Sequence, residues 1–251
     1  MQICDFQIHS KYSRATSKNM VIEQIAKNAK IKGLDIVGTG DMTHPLWLND
    51  LKKKLKPENE GVYSFDDMLF ILTGEISLIY KQGGKGRRVH HMIYAPSFSV
   101  VDQINEWRDK KGRSDYDRRP IFGFSSIELV DAMMSISKDI EIVPAHAWTP
   151  WYGIFGSMSG FDSLEECFQD KTKFIHSIET GMSSNPEMNW RISFLDNITL
   201  TSNSDAHSHY PWRLGREANV FDLKEVTYNN IIGAIRTRKN FAFTVEVDPN
   251  Y

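Results

Sequence analysis

Apolar and polar positions alternate in short runs, and amphipathic stretches separate them. Over residues 2–9, Phe6 and Ile8 share one parity while Asp5, Gln7 and His9 share the other, the pattern of a strand whose polar side converges on something. After Ser17, the residues Val21, Ile22, Ile25, Ala26 and Ala29 recur at helical spacing, and Gly33 closes the helix. Residues 34–37 read as a strand that Gly38-Thr39-Gly40-Asp41 leaves. Strand-like segments at 68–79 and 89–95 are joined by Lys81-Gln82-Gly83-Gly84-Lys85-Gly86, a hairpin-type turn. The spacing predicts helices over 100–110, 126–137 and 228–238, and strands over 140–143, 174–178, 198–201 and 241–247. Strands alternating with helices predict an α/β fold with a largely parallel sheet. The roughly seven or eight strands either close into a barrel or stay open, and periodicity does not choose between the two.

Composition narrows the class without naming a chemistry. The chain has 251 residues, 41% hydrophobic and 25% charged, which excludes disordered and collagen-like proteins and fits one domain over 1–251. A net charge of −2 gives no global basic footprint for nucleic acid. No apolar run approaches the ~18–20 residues of a membrane span, and Met1-Gln2-Ile3-Cys4-Asp5 has neither a basic region nor an apolar signal core. Cys4 and Cys167 are the only cysteines, far apart and without metal-type spacing, so a disulfide framework is not expected and a reducing, cytoplasmic setting is.

The titratable residues gather near the ends of the expected strands. Asp5, Gln7 and His9 end the first, Asp41 and His44 follow the second, and Glu75 lies in Thr73-Gly74-Glu75. His90 and His91 open another, His146 follows Ile142-Val143-Pro144-Ala145, and Glu179 ends Ile175-His176-Ser177-Ile178. Asp205 and His207 lie in Ser204-Asp205-Ala206-His207. Functional side chains of parallel α/β folds collect at the carboxyl ends of strands. Imidazole and carboxylate suit zinc, manganese or iron, and a carboxylate such as Glu75 can bridge two ions. Two ions held about 3.5–4 Å apart can bind a phosphate and lower the pKa of a water between them, which is phosphoester hydrolysis chemistry. A lone histidine near a strand end is more often a packing residue. His176, inside an apolar run, and His209, in Ser208-His209-Tyr210, are read that way, and adjacent His90 and His91 point to opposite faces of a strand. The weight rests on several strand ends together.

These segments resemble a known family. Asp5-Phe6-Gln7-Ile8-His9-Ser10, Gly40-Asp41-Met42-Thr43-His44, Gly74-Glu75, His91-Met92-Ile93-Tyr94, Pro144-Ala145-His146 and Ser204-Asp205-Ala206-His207 look like the ordered motifs of the PHP (polymerase and histidinol phosphatase) superfamily. The resemblance covers essentially the whole chain and implies a distorted (β/α)7 barrel with a trinuclear metal site. Within it, Ser13-Arg14-Ala15-Thr16-Ser17-Lys18, Gly40-Asp41-Met42-Thr43-His44-Pro45 and Ala145-His146-Ala147-Trp148-Thr149-Pro150-Trp151 are similar to the endonuclease Q group, which nicks DNA 5′ of deaminated bases such as uracil and hypoxanthine. Carried over by motif, His9, Glu75 and Asp205 hold a first ion, and Glu75 bridges to a second held by His91 and His146. His207 serves a third with Asp41 and His44. Asp205, Glu75 and His207 are then the catalytic set, with two or three divalent ions (zinc, manganese or magnesium) as cofactors and damaged DNA as partner.

Two departures stand out. The family's His-x-His reads Gln7-Ile8-His9 here, and a neutral carboxamide is a poorer zinc donor than imidazole. Either a harder ion is used, or the chain is a non-catalytic member, or the substitution was introduced to disable it. The group also continues beyond the equivalent of Val247-Asp248-Pro249-Asn250-Tyr251 into a cysteine-containing zinc module, so the chain is expected to be either a fragment or a barrel-only member. For substrate binding, Trp148 and Trp151 either line a rim for an extruded base or pack their loop, and Arg88 lies in a short basic patch. Arg213 and Arg216, soon after His207, are placed to clamp a phosphate, and 108–119 reads as a charged surface loop that could touch phosphates. Three functions stay open: a metal-dependent DNA endonuclease, a small-molecule phosphatase of the histidinol-phosphate kind, and a catalytically dead DNA-binding module.

Overall fold

The computed structural model describes residues 1–111 and 121–247. β1 (Gln2–Asp5), α1 (Ile22–Lys32), β2 (Ile36–Gly38), α2 (Pro45–Lys54), β3 (Lys56–Asn59) and β4 (Val62–Phe65) precede a long hairpin of β5 (Met68–Gln82) and β6 (Lys85–Ala95). α3 (Phe98–Lys111), β7 (Ile121–Phe122), α4 (Ser126–Ile136), β8 (Glu141–Pro144), α5 (Leu164–Phe168), β9 (Ser177–Glu179), α6 (Pro186–Asn189) and β10 (Thr199–Thr201) follow. β11 (Ala218–Phe221), α7 (Tyr228–Thr237) and β12 (Phe241–Val245) complete a mixed α/β protein. Among the described residues no helix is long and apolar enough to cross a membrane.

A large sheet runs β12-β11-β1-β2-β5-β4-β3, with β6 and β7 also on β5 and β8 on β6, while β9 and β10 pair separately. The expectation of a largely parallel sheet is corrected. β1–β2, β2–β5, β5–β7 and β9–β10 are parallel, whereas β1–β11, β11–β12, β3–β4, β4–β5, β5–β6 and β6–β8 are antiparallel. For β3–β4, β4–β5 and β5–β6 the short connections impose this, since a parallel pair needs a crossover of a dozen or more residues. Gly83 and Gly84, with φ of 61° and 74°, form the two-residue turn that returns β6 directly along β5.

Helix ends follow local chemistry. Gly33 caps α1 in the left-handed conformation, and Thr227 accepts from the Asn230 amide at the start of α7. α7 lays Tyr228, Ile231, Ile232 and Ile235 against Phe6, Tyr94 and Phe221, and α1 to α4 bury Ile25, Trp47, Leu51, Ile104 and Met133 in a second cluster. α2, the β3–β4 hairpin and β11 are elements that the apolar pattern alone does not announce. The charged stretch 108–119 is corrected at its start and otherwise lies outside the described residues: Arg108 belongs to α3, is 1% exposed, and donates to Thr43 O at 2.8 Å.

The β11–β12 edge carries a titration of its own. Glu217 accepts from Ser202 Oγ at 2.9 Å and the Val247 amide at 3.3 Å, and Glu246 accepts from Thr180 Oγ1 at 3.2 Å. Burial pushes both carboxyls up to about 7. The folded state therefore binds more protons than the unfolded chain between roughly pH 4.5 and 7, and stability declines as pH rises through that window. Glu246→Gln is expected to flatten this decline and to raise the melting temperature at pH 8 by about 2–4 °C. Thermal melts of both forms at pH 5 and pH 8 check it; parallel profiles would contradict it.

Candidate metal centre

The polar parity of the first segment leads inward. Past β1, Ile8 forms a parallel bridge to Ala206, which brings the 204–207 loop alongside. The Asp5 carboxylate accepts from Ser204 N and Oγ at 3.0 and 2.5 Å and from Gly215 N at 2.8 Å, so it holds both ends of that loop. Gln7 Nε2 donates to Glu75 Oε2 at 2.8 Å. His9 is fully buried, with Nδ1 3.2 Å from Asp41 Oδ1 and Nε2 2.9 Å from Asp205 Oδ1 and 3.5 Å from Glu75 Oε2. Asp41 Oδ2 accepts from Ser10 N and Oγ, both at 2.7 Å.

Backbone geometry delivers these side chains at some cost. Asp41, His146 and Asp205 hold φ of 42°, 32° and 47°. A non-glycine residue there costs on the order of 1–3 kcal/mol, which persists only where the surroundings impose it. At His146 the surroundings are visible: Glu179 Oε2 accepts the His146 amide at 2.7 Å, while Asn203 Nδ2 donates to Oε1 at 2.8 Å. Gly181 has room for no side chain, since a Cβ would sit 2.8 Å from His146 Cα and Cβ.

Among the described residues two groups of donor atoms result, one of His9, Asp205 and His207 and the other of Glu75, His90 and His146, the atoms of each group lying within 4.8 Å of one another. Glu75 faces both, with Oε1 2.6 Å from His90 Nδ1 and Oε2 near His9. His207 Nδ1 donates to the Asp205 carbonyl at 2.8 Å, which makes Nε2 its lone-pair nitrogen. His146 Nδ1 meets Thr149 Oγ1 at 2.9 Å, and its Nε2 is 3.2 Å from His90 Nδ1.

The expected placement of His91 beside Glu75 and His146 is corrected to His90. Ser77 pairs with His90 and Glu75 with Met92, so these four side chains share a face of the hairpin. His91 pairs with Ile76 on the opposite face, where its Nε2 contacts Ser126 Oγ at 2.8 Å and its ring packs 5.4 Å from Phe168. Burial, with His90 nearby, lowers its pKa to about 3. His44 caps α2, accepting from the Trp47 amide, and stacks 4.5 Å from the Tyr12 ring. Asp41 reaches the centre through His9.

Of the expected substrate-side residues, Arg213 and Arg216 line a cleft of about 350 Å³ together with Asp205 and His207. Arg216 Nε donates to Ser204 O at 3.0 Å. Trp151 is exposed, with the Arg88 guanidinium 4.8 Å over its ring. Trp148 is half-buried, donating to Asn189 Oδ1 at 2.8 Å and packing 4.8 Å from Phe155. Asp5 and Glu179, noted in the sequence only as strand-end acids, hold the ligand-bearing loops.

The electrostatics call for positive charge. Burial disfavours a charged His9, yet Asp205, Asp41 and Glu75 around it hold its pKa well above the usual histidine value. Burial likewise raises Asp41 and Asp205, and His9 outweighs it to leave both below the ordinary aspartate value. Gln7 Oε1 is buried without a hydrogen-bond partner among the described residues, a neutral oxygen beside Glu75. Carboxylates sharing a buried imidazole, an unsatisfied oxygen and two mixed His/carboxylate groups fit divalent cations.

No family model matches the chain. It superposes on the lesion-specific endonuclease PfuEndoQ from Pyrococcus furiosus with a TM-score of 0.88 and 35% identity, over 99% of this chain and 59% of that one. An endonuclease Q solved with a 27-mer duplex carrying an abasic lesion at the active site matches with a TM-score of 0.88 and 36% identity, over 99% and 60% of the two chains. A protein of Bifidobacterium adolescentis assigned as a metal-dependent phosphoesterase shares the fold, with a TM-score of 0.54, 14% identity and coverage of 92% and 94%. The fold is thus shared with that phosphoesterase, and it carries mixed His/carboxylate donor groups among the described residues. In fold and in sequence the chain is similar to endonuclease Q. It spans about three-fifths of the two endonucleases, and 16% and 56% of uncharacterized relatives from Methanocaldococcus jannaschii and Bacillus subtilis that are 36% and 22% identical over 147 and 231 residues.

Proposed function

We propose that this chain is a divalent-cation-dependent phosphodiesterase that nicks DNA 5′ of a deaminated base, built on a distorted (β/α)7 barrel of the PHP type. What supports it most is the position of Glu75, one carboxylate oxygen beside His90 and the other beside His9, as a ligand bridging two ions stands. His9, Asp205 and His207 would hold one ion, and Glu75, His90 and His146 the other. Zinc, manganese or magnesium there would supply charge that acidifies a water and neutralises phosphate oxygens. Asp41 is already engaged by Ser10 and His9, which favours two ions over three. Asp205, Glu75 and His207 would act on the reacting phosphate, and Arg213 and Arg216, which share a cleft with Asp205 and His207, would bind its oxygens. DNA as substrate is supported by the relative solved with an abasic-site duplex.

Duplexes with one uracil, hypoxanthine or abasic site, beside an undamaged control, test this reading with manganese, magnesium or zinc added. Metal-dependent nicking of the damaged strand, abolished by chelator, is the expected result. An intact damaged strand under every ion, with hydrolysis of free phosphomonoesters, would move the assignment to a small-molecule phosphatase. Binding without cleavage would favour a DNA-binding module, the reading that Gln7 supports.

A further inference from the structure

We propose that His209, Tyr210 and Trp212 form a base-stacking platform beside the metal centre, which receives a nucleobase of the DNA next to the phosphate that is cut. The proposal rests on the DNA-cleaving reading above. The His209 and Tyr210 rings lie 4.5 Å apart at 29°, and the Tyr210 and Trp212 rings 4.4 Å apart at 6°. Exposure increases along the series, from buried His209 through Tyr210 at 45% to Trp212 at 66%. The stacked rings cover one another's inner faces, and the highly exposed Trp212 indole, held in place by Tyr210, ends the stack as a flat π surface toward solvent. A nucleobase fits such a surface, and every base has a π face.

The platform is rigid and adjoins the chemistry. Arg213 N and Leu214 N both donate to the Tyr210 carbonyl, at 2.8 and 3.0 Å, which fixes the turn between the rings. Leu214 is buried, and the Gly215 amide is tied to Asp5. Gly215 has φ of 60° and lies against Leu34, which a Cβ would meet at 2.8 Å. The same loop supplies Asp205 and His207 before the rings, and Arg213 and Arg216 after them. Cation site, guanidinium groups and stacked rings thus follow one another along one anchored segment. A nucleotide presents the matching series of phosphate and planar base. A protein partner would find the apolar rings but would lack the phosphate that Arg213 and Arg216 complement.

Anisotropy with a labelled duplex carrying one abasic site, without added divalent ion, tests the assignment. Trp212→Ala is expected to weaken binding by about 5- to 150-fold, whereas Trp212→Phe stays within about threefold of the parent. Stacking involves no counterion release, so the salt dependence of Trp212→Ala should match the parent, while Arg213→Gln should lower the slope by about 1. Unchanged affinity in Trp212→Ala, or equal loss in Trp212→Phe, would overturn the platform while leaving the DNA reading in place. Loss of self-association in Trp212→Ala with unchanged DNA affinity would also overturn it and make the rings a protein contact. A parent chain with no DNA affinity would overturn both proposals. A melting temperature of Trp212→Ala more than a few degrees below the parent would make the indole a packing residue instead.

Discussion

Asp205→Asn is expected to lower metal-dependent cleavage by at least ~10³-fold while leaving the fold intact. Asp205 is the carboxylate of its donor group, with Oδ1 2.9 Å from His9 Nε2 and 3.7 Å from His207 Nδ1. An amide keeps the shape and removes the charge that the ion and the buried imidazole both need. The backbone accepts the exchange, since Asn tolerates the φ of 47° at this position as well as Asp does. Ion content by mass spectrometry and a thermal melt separate the outcomes. Weaker ion retention with a melting temperature within a few degrees of the parent is expected. Cleavage within tenfold of the parent would remove Asp205 from the catalytic set.

Gln7→His carries the second large effect, in the opposite direction. Gln7 is fully buried, spends its amide hydrogen on Glu75 Oε2, and leaves Oε1 unsatisfied among the described residues. It therefore engages a Glu75 oxygen that a bound cation would use and would offer that cation only a weak neutral donor in return. Imidazole at this position is expected to raise zinc affinity and turnover, by about 10- to 100-fold if the change resembles the loss or gain of a metal-site partner. Competition against a chromophoric chelator, together with cleavage rates in zinc and in manganese, provides the check. Equal metal content and equal rates would mean that Gln7 is an accommodated variation.

Much of this centre is readable from local pattern, and the misreadings have identifiable causes. His9, His146, Asp205 and His207 follow strand ends where sequence places them, because strand termini in such folds bring side chains to one rim, whereas Glu75 reaches the same place from within β5. His90 was concealed by an adjacent twin. Alternation says only that His90 and His91 oppose one another, and the family motif points to His91. The decisive signal was Gly83-Gly84: a two-residue turn pairs Gln82 with Lys85, and that register puts His90 on the face of Glu75. Arg108 misled in another way, since its charge suggested a surface loop although it closes the buried side of α3 against Thr43. The Tyr210–Trp212 stack had no periodic signal, because a loop has no repeat for its aromatics to follow.

By itself the sequence determined the helices with apolar stripes, the long hairpin with its glycine turn, the α/β class, the metal-type donor inventory and the resemblance to PHP proteins. All of these depend on spacing along the chain, or on segments short enough for local sterics and burial to decide. Only the tertiary structure decided the mixed sheet direction and the division of donors into two groups sharing Glu75. It also decided the roles of Asp5 and Glu179 beneath the ligand-bearing loops. Those features join residues as far apart as Asp5 and Ser204, or His9 and Asp205. Such contacts depend on how strands pair and which faces are buried together, and no local spacing carries that information.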